Sequence, residues 1–130
     1  WRERSTRRIL ETQQKMGLVV FSVGSATARV RSHVYSGGFL DPADLDTLAA
    51  DGVVGDVATV FYRADGSSDG IALNERATGP DFAAFREVAR RCCIVAGESK
   101  LTSLRGAIAA GLVTDLVIDE GTARALVEND

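Results

Sequence analysis

The 130-residue chain carries fifteen Lys+Arg against eighteen Asp+Glu, a net charge of −3, with 45 % hydrophobic and 25 % charged residues. This is ordinary globular composition for about one domain. It excludes a disordered chain, a collagen-like chain and a strongly basic nucleic-acid module. The longest apolar run, around Leu18–Val23, has a strand's length, far short of the roughly 18 apolar residues of a membrane span. There is no secretory signal, and residue 1 is Trp in a charged segment, which suggests a trimmed piece of a longer polypeptide.

In chain order, Trp1–Lys15 holds five basic residues (Arg2, Arg4, Arg7, Arg8, Lys15) against Glu3 and Glu11, so this stretch is +3 and the remainder −6. Its weak apolar pattern (Ile9, Leu10, Met16) predicts a solvated helix. Leu18–Val23, between Gly17 and Gly24, predicts a buried strand. A polar loop runs to Gly38. Asp41-Pro42-Ala43-Asp44 is a helix start with Asp41 as N-cap and Pro42 at the first helical position; Leu45, Leu48 and Ala49 should face inward, and Gly52 should end the helix. Val57–Arg63 predicts a strand, residues 64–70 a turn, and Ile71–Leu73 a second short strand, together a hairpin. Pro80-Asp81 opens a helix with Phe82, Phe85 and Val88 on one face. Cys92–Ala96 predicts a buried strand. Ser99–Ala110 predicts a helix with Leu101, Leu104 and Ile108 at i, i+3 and i+7. A strand closes at Leu116–Ile118, and Asp119 caps a last helix through Val127.

The alternation in the second half implies parallel strands joined by right-handed crossovers. The expected architecture is a three-layer, Rossmann-like α/β domain with an inserted β-hairpin. Adjacent cysteines resist pairing with each other, so Cys92 and Cys93 should both be reduced thiols. His33 is the only histidine, and with two cysteines it falls short of the ligand set of a structural zinc site. No P-loop, dinucleotide fingerprint, nucleophile elbow or zincin helix is present. The residues therefore give no positive sign of an enzyme, a metal or a cofactor.

Ligands of open α/β sheets bind outside the carboxyl ends of the strands. Three junctions qualify: Gly24-Ser25-Ala26-Thr27, Gly97-Glu98-Ser99-Lys100 and Asp119-Glu120-Gly121-Thr122. Lys100 is the most informative residue. A cation in the first turn of a helix opposes the dipole by about 0.3–1 kcal/mol. Its presence makes sense if an anion sits between it and the free N–H groups. Pairing with Glu98 or simple solvation explains it equally well. Asp56 could accept hydrogen bonds from sugar hydroxyls, or could be a connector carboxylate. Asn74-Glu75-Arg76 reads as a solvated loop.

Four blocks in register carry a likeness. They are Asp41…Leu45…Gly52-Val-Val-Gly-Asp56; Leu73-Asn-Glu-Arg76; Val95-Ala-Gly-Glu-Ser-Lys100; and Gly111-Leu-Val-Thr-Asp-Leu-Val-Ile-Asp-Glu-Gly-Thr-Ala-Arg-Ala-Leu126. Together they resemble the sugar-binding domain of SorC-type transcriptional regulators. The resemblance covers nearly the whole chain and implies a single domain, 1–130, that is the back half of a sugar-phosphate effector-binding domain. It implies a fold related to ribose-5-phosphate isomerase and glucosamine-6-phosphate deaminase. It also implies a phosphorylated sugar as effector, a cytoplasmic homo-oligomer, and DNA contact through a helix-turn-helix module that this chain lacks. By position, Lys100 looks like the phosphate-contacting lysine and Asp56 like the sugar-hydroxyl contact. Gly97, Glu98 and Ser99 belong to the same loop, and Gly24-Ser25 to the pocket edge. Ser36 departs from the pattern, since many members carry a basic residue near it. Two other readings share the fold: a sugar-phosphate isomerase using Asp56 and Glu98, and an oligomerisation domain with a vestigial pocket.

Overall fold

The computed structural model describes residues 3–13, 15–28 and 32–128. The first helix, α1, spans Arg4–Gln13, with no fully buried residue. Strand β1 (Leu18–Phe21) pairs in parallel with β5 (Arg90–Val95), which pairs in parallel with β6 (Asp115–Ile118). A second, antiparallel sheet runs in the order β2 (Gly24–Ser25), β3 (Val53–Val57), β4 (Val60–Arg63). The remaining helices are α2 (His33–Ser36), α3 (Pro42–Ala50), α4 (Phe82–Glu87), α5 (Leu101–Ala109) and α6 (Glu120–Glu128), with 3-10 turns at Ala72–Arg76 and Glu98–Lys100.

The caps explain most boundaries. Asp41 accepts from the Asp44 N–H at 2.8 Å, and Asp44 reaches back to the Asp41 N–H at 3.3 Å, a capping box that starts α3 at Pro42. Asp81 accepts from the Ala84 N–H at 2.7 Å and starts α4. Asp119 accepts from the Thr122 N–H at 3.0 Å and starts α6.

One core joins the inner face of the parallel sheet to α4 and α5, with Phe85, Cys93, Val95, Leu104, Ala107 and Leu112 fully or almost fully buried. Phe21 meets Phe85 edge to face, ring centroids 5.1 Å apart. A second, smaller core gathers Tyr35, Leu48, Val53, Phe61, Ile71 and Leu73. The hairpin β3–β4 serves both: Val57, Val60 and Tyr62 face the first core, Val53 and Phe61 the second.

Several expectations need correction. The hairpin's arms are β3 and β4, joined by Ala58-Thr59, and not Val57–Arg63 with Ile71–Leu73. Residues 71–73 form no strand because the Asn74 carboxamide takes the edge of β4 instead. Asn74 Oδ1 accepts from the Phe61 N–H at 2.7 Å and Nδ2 donates to the Phe61 carbonyl at 3.0 Å. Ala49 is exposed, with Leu48 alone fully buried on α3. On α5, Ile108 is 43 % exposed, and Ser103, Leu104, Gly106 and Ala107 form the buried stripe instead. The strand expected at 92–96 starts at Arg90 and alternates. Cys93 and Val95 point into the core while Ile94 is exposed. Both thiols are free, Cys92 half-buried and Cys93 buried.

Candidate functional site

Asp56 sits in the middle of β3, directly opposite Gly24 on β2 and Phe61 on β4. It is a carboxylate only 7 % exposed. Ser32 Oγ donates to its Oδ1 at 3.1 Å, and the Thr59 N–H bonds it from the hairpin turn. Burial pushes this carboxyl above the usual carboxylate range, against the opposing pull of the Ser32 and Thr59 hydrogen bonds and the Lys100 charge.

The fold reserves space for that carboxylate. A side chain on Gly24 would place its Cβ 1.8 Å from Asp56 Oδ1, so only glycine lets β2 pass this close. Gly24 is itself anchored: its carbonyl accepts from Ser103 Oγ, and Ser103 is bonded to the Tyr62 hydroxyl at 2.8 Å. Ser25 is buried, and its Oγ accepts the Ala28 N–H at 3.1 Å. It shapes the turn and does not line the cavity next to Asp56.

The turn Glu98–Lys100 packs against β2, which brings Lys100 to the side of the molecule that holds Asp56. Lys100 is half-buried; its backbone N–H donates to the Gly97 carbonyl at 3.0 Å, and its side chain makes no ion pair with a described residue. It stands at the N-cap position of α5, a helix that begins with no side-chain cap. The contrast with α3, α4 and α6 is direct. Each of those starts on an aspartate of its own, whereas α5 starts beside an ammonium.

The other loop residues behave differently from the expectation of free N–H groups. Gly97, at φ +97, donates its N–H to Asp119 Oδ2 and Thr122 Oγ1, both at 2.9 Å. That donor is therefore already used. Asp119 accepts further bonds from the Thr122 N–H and hydroxyl and is held at about pKa 2 by them. The junction Asp119–Thr122 is thus filled by its own carboxylate and offers nothing to an outside anion. Glu98 and Ser99 are exposed, and Glu98 Oε1 lies on the α6 side, 3.8 Å from where a Gly121 side chain would begin.

Beside Asp56 opens a cavity of about 510 Å³ whose wall includes Ser32, His33, Phe39, Thr59, Phe61 and Arg76. Its tip is strained. Ala58 and Thr59 have φ of 51° and 67°, the left-handed pair of a type I′ turn that normally wants Asn-Gly. Without Asn-Gly, residues 58–59 carry no turn signal of their own. Behind the wall, the Tyr35 hydroxyl is buried without a hydrogen-bond partner among the described residues. Burial first, then the Asp56 charge, raises its pKa far above the usual phenol range. Ser32 escaped the sequence reading because nothing local marks a residue that meets Asp56 only through the fold; Arg76, read as part of a solvated loop, lines the cavity while its Nη1 bonds Asp44. Among the described residues no cluster of His, Cys, Asp or Glu could hold a metal ion, and no helix is long and apolar enough to cross a membrane.

Comparison with known proteins places this geometry. Residues 1–128 match the family model described as "Putative sugar-binding domain". A solved domain of a possible sugar-binding transcriptional regulator from Arthrobacter aurescens is 57 % identical, with a TM-score of 0.87 over 98 % of this chain and 48 % of that one. The deoxyribonucleoside regulator of Bacillus subtilis is 29 % identical over 98 % of this chain and 40 % of its own length. The full-length sorbitol operon regulator SorC of Klebsiella pneumoniae, 23 % identical, shares the fold at a TM-score of 0.83 over 95 % of this chain and 40 % of that one. The chain spans about two fifths of that curated relative and about half of the solved Arthrobacter domain. It belongs to the sugar-binding domain family of SorC/DeoR-type transcriptional regulators.

Proposed function

We propose that this domain binds a phosphorylated sugar and that occupancy biases DNA binding by a module outside these residues. The observation that supports it best is the start of α5: a helix without a side-chain cap, flanked by an unpaired Lys100, on the side of the buried Asp56. The positive end of the α5 dipole and an ammonium together suit a phosphate. A carboxylate held by Ser32 and Thr59 keeps acceptor capacity for sugar hydroxyls. Binding need only favour one conformation by differential contacts, so no nucleophile is required. In this reading the protein is a cytoplasmic homo-oligomer that contacts DNA through a helix-turn-helix outside these residues, and it uses no cofactor.

An isomerase would need a second acid or base facing the sugar carbon beside Asp56. The only partner the sequence offered, Glu98, is exposed on the α6 side. That arrangement favours the sensor over the enzyme. A purely oligomerising domain would leave Asp56 as a buried charge without a task.

The test is thermal denaturation of the natural full-length protein with a panel of sugars and their phosphates. Ligand at about 100 Kd adds roughly 2.7 kcal/mol. At least one sugar phosphate should raise Tm by several degrees, with its unphosphorylated parent doing much less and no turnover detected. Equal shifts from glucose and glucose 6-phosphate, or isomerised product, would contradict the reading.

A further inference from the structure

We propose that the effector is a sugar phosphate carrying an apolar substituent, such as an aglycone of aromatic or short aliphatic carbon, and that the chamber beyond Asp56 holds this substituent. The inference rests on the reading above and names the class of ligand more closely.

The chamber has two kinds of wall. Around Asp56 the groups are polar: Ser32 on its Oδ1 and the Thr59 N–H from the turn. Elsewhere carbon dominates, with Val34, Phe39, Leu40, Phe61 and Leu73. Phe61 is the cross-strand partner of Asp56, so an aromatic ring and the carboxylate lie side by side on one face of the hairpin. Two further polar side chains of the wall each have a neighbour that positions them. Arg76 Nη1 bonds both Asp44 oxygens at 2.9 and 3.0 Å. The His33 ring packs edge to face on Phe39, centroids 5.5 Å apart. Thr78 contributes one more hydroxyl.

Phe39 is 63 % exposed. A Cβ on Gly37 would come within 2.7 Å of its ring, so this glycine leaves room for the ring beside the α2 end, next to His33. An exposed aromatic surface at a cavity is what an apolar ligand group covers. A bare sugar would fill this space badly. It carries a hydroxyl on nearly every carbon, and each one turned toward the carbon wall loses water without a replacement partner. A volume of about 510 Å³ lies in the range that holds drug-sized ligands, about 300–1,000 Å³.

The experiment is calorimetric titration of the natural full-length protein with matched sets. Glucose 6-phosphate and ribose 5-phosphate are compared with their methyl and phenyl glycosides, both anomers, phosphate retained. At least one phenyl glycoside phosphate should bind about tenfold or more tighter than its free sugar phosphate. Phe39→Ala, at a position 63 % exposed, should cut that gain, measured against the free sugar phosphate in the same variant, to about threefold or less. If free sugar phosphates bind and every glycoside binds equally or more weakly, the proposal fails and the sugar-phosphate reading stands. If the gain survives in Phe39→Ala, the chamber is not where the substituent sits. If no phosphorylated compound binds, both fall together.

Discussion

The two sheets of this molecule obey local rules to different degrees. In the parallel sheet the side chains alternate cleanly. Val19, Phe21, Cys93, Val95, Leu116 and Ile118 turn toward the core. Leu18, Val20, Ile94 and Val117 stand 48–58 % exposed on the other face. The hairpin sheet breaks one rule after another. Its turn holds two non-glycine residues at positive φ, a carboxylate is buried mid-strand, and a side-chain amide replaces a strand at its edge. Such departures gather where a fold serves something other than its own stability, and here they surround the cavity.

The largest expected effect tests the first sheet. Phe85→Ala should cost about 3–5 kcal/mol in urea unfolding, because a fully buried ring leaves a cavity between sheet and helices. Val20→Ala, on the open face, should cost within about 0.5 kcal/mol. Comparable losses would mean that both faces are packed. Next comes Tyr62→Phe, which strips a hydroxyl from the buried Ser103 and should cost about 1–2 kcal/mol. The binding signal of any sugar phosphate should weaken with it, since Ser103 anchors Gly24 against Asp56. Relieving the turn should have the opposite sign. Ala58→Asn with Thr59→Gly should raise stability by up to about 1 kcal/mol by chemical denaturation, and an unchanged or lower stability would argue against strain at the tip.

The smallest effects come from two carboxylates that titrate in opposite directions. Asp56 has a raised pKa, so its stabilising form is the protonated one. Its contribution is present below the ordinary value of 3.8 and is lost as pH rises through the folded value. Asp56→Asn should therefore gain on the natural protein as pH rises above that range, with the difference closing in acid. Asp119, lowered to about 2, contributes above 3.8 and loses that contribution as pH falls toward 2. Asp119→Asn should be less stable at neutral pH, and the difference should vanish near pH 2. Parallel pH profiles for the two variants would remove the contrast between site and cap.

Local signals carried much of the fold. Caps at Asp41, Asp81 and Asp119 and the apolar spacing of Phe82 and Phe85 are read within one helical turn, and the structure keeps them. Parallel pairing of β5 and β6 followed from strand–helix–strand order. The hairpin was misplaced because its turn lacks turn residues, while the Gly- and Ser-rich stretch at 65–70 does turn but leads into a 3-10 helix and not into a return strand. Of the site, Asp56 was visible as a carboxylate among strand residues and Lys100 as a cation in the first turn of a helix. Ser32, Thr59 and Phe61 were not, because their link to Asp56 is made by strand register and by a loop that folds back across 24 residues.

The most direct test of the central claim is the Lys100→Ala variant in the full-length protein, measured by calorimetry against a sugar phosphate and its unphosphorylated parent. The account predicts that the natural protein prefers the phosphate by at least about tenfold, that Lys100→Ala erases the preference, and that Lys100→Arg keeps part of it. An unchanged preference in Lys100→Ala would contradict the assignment of the α5 start as the anion site.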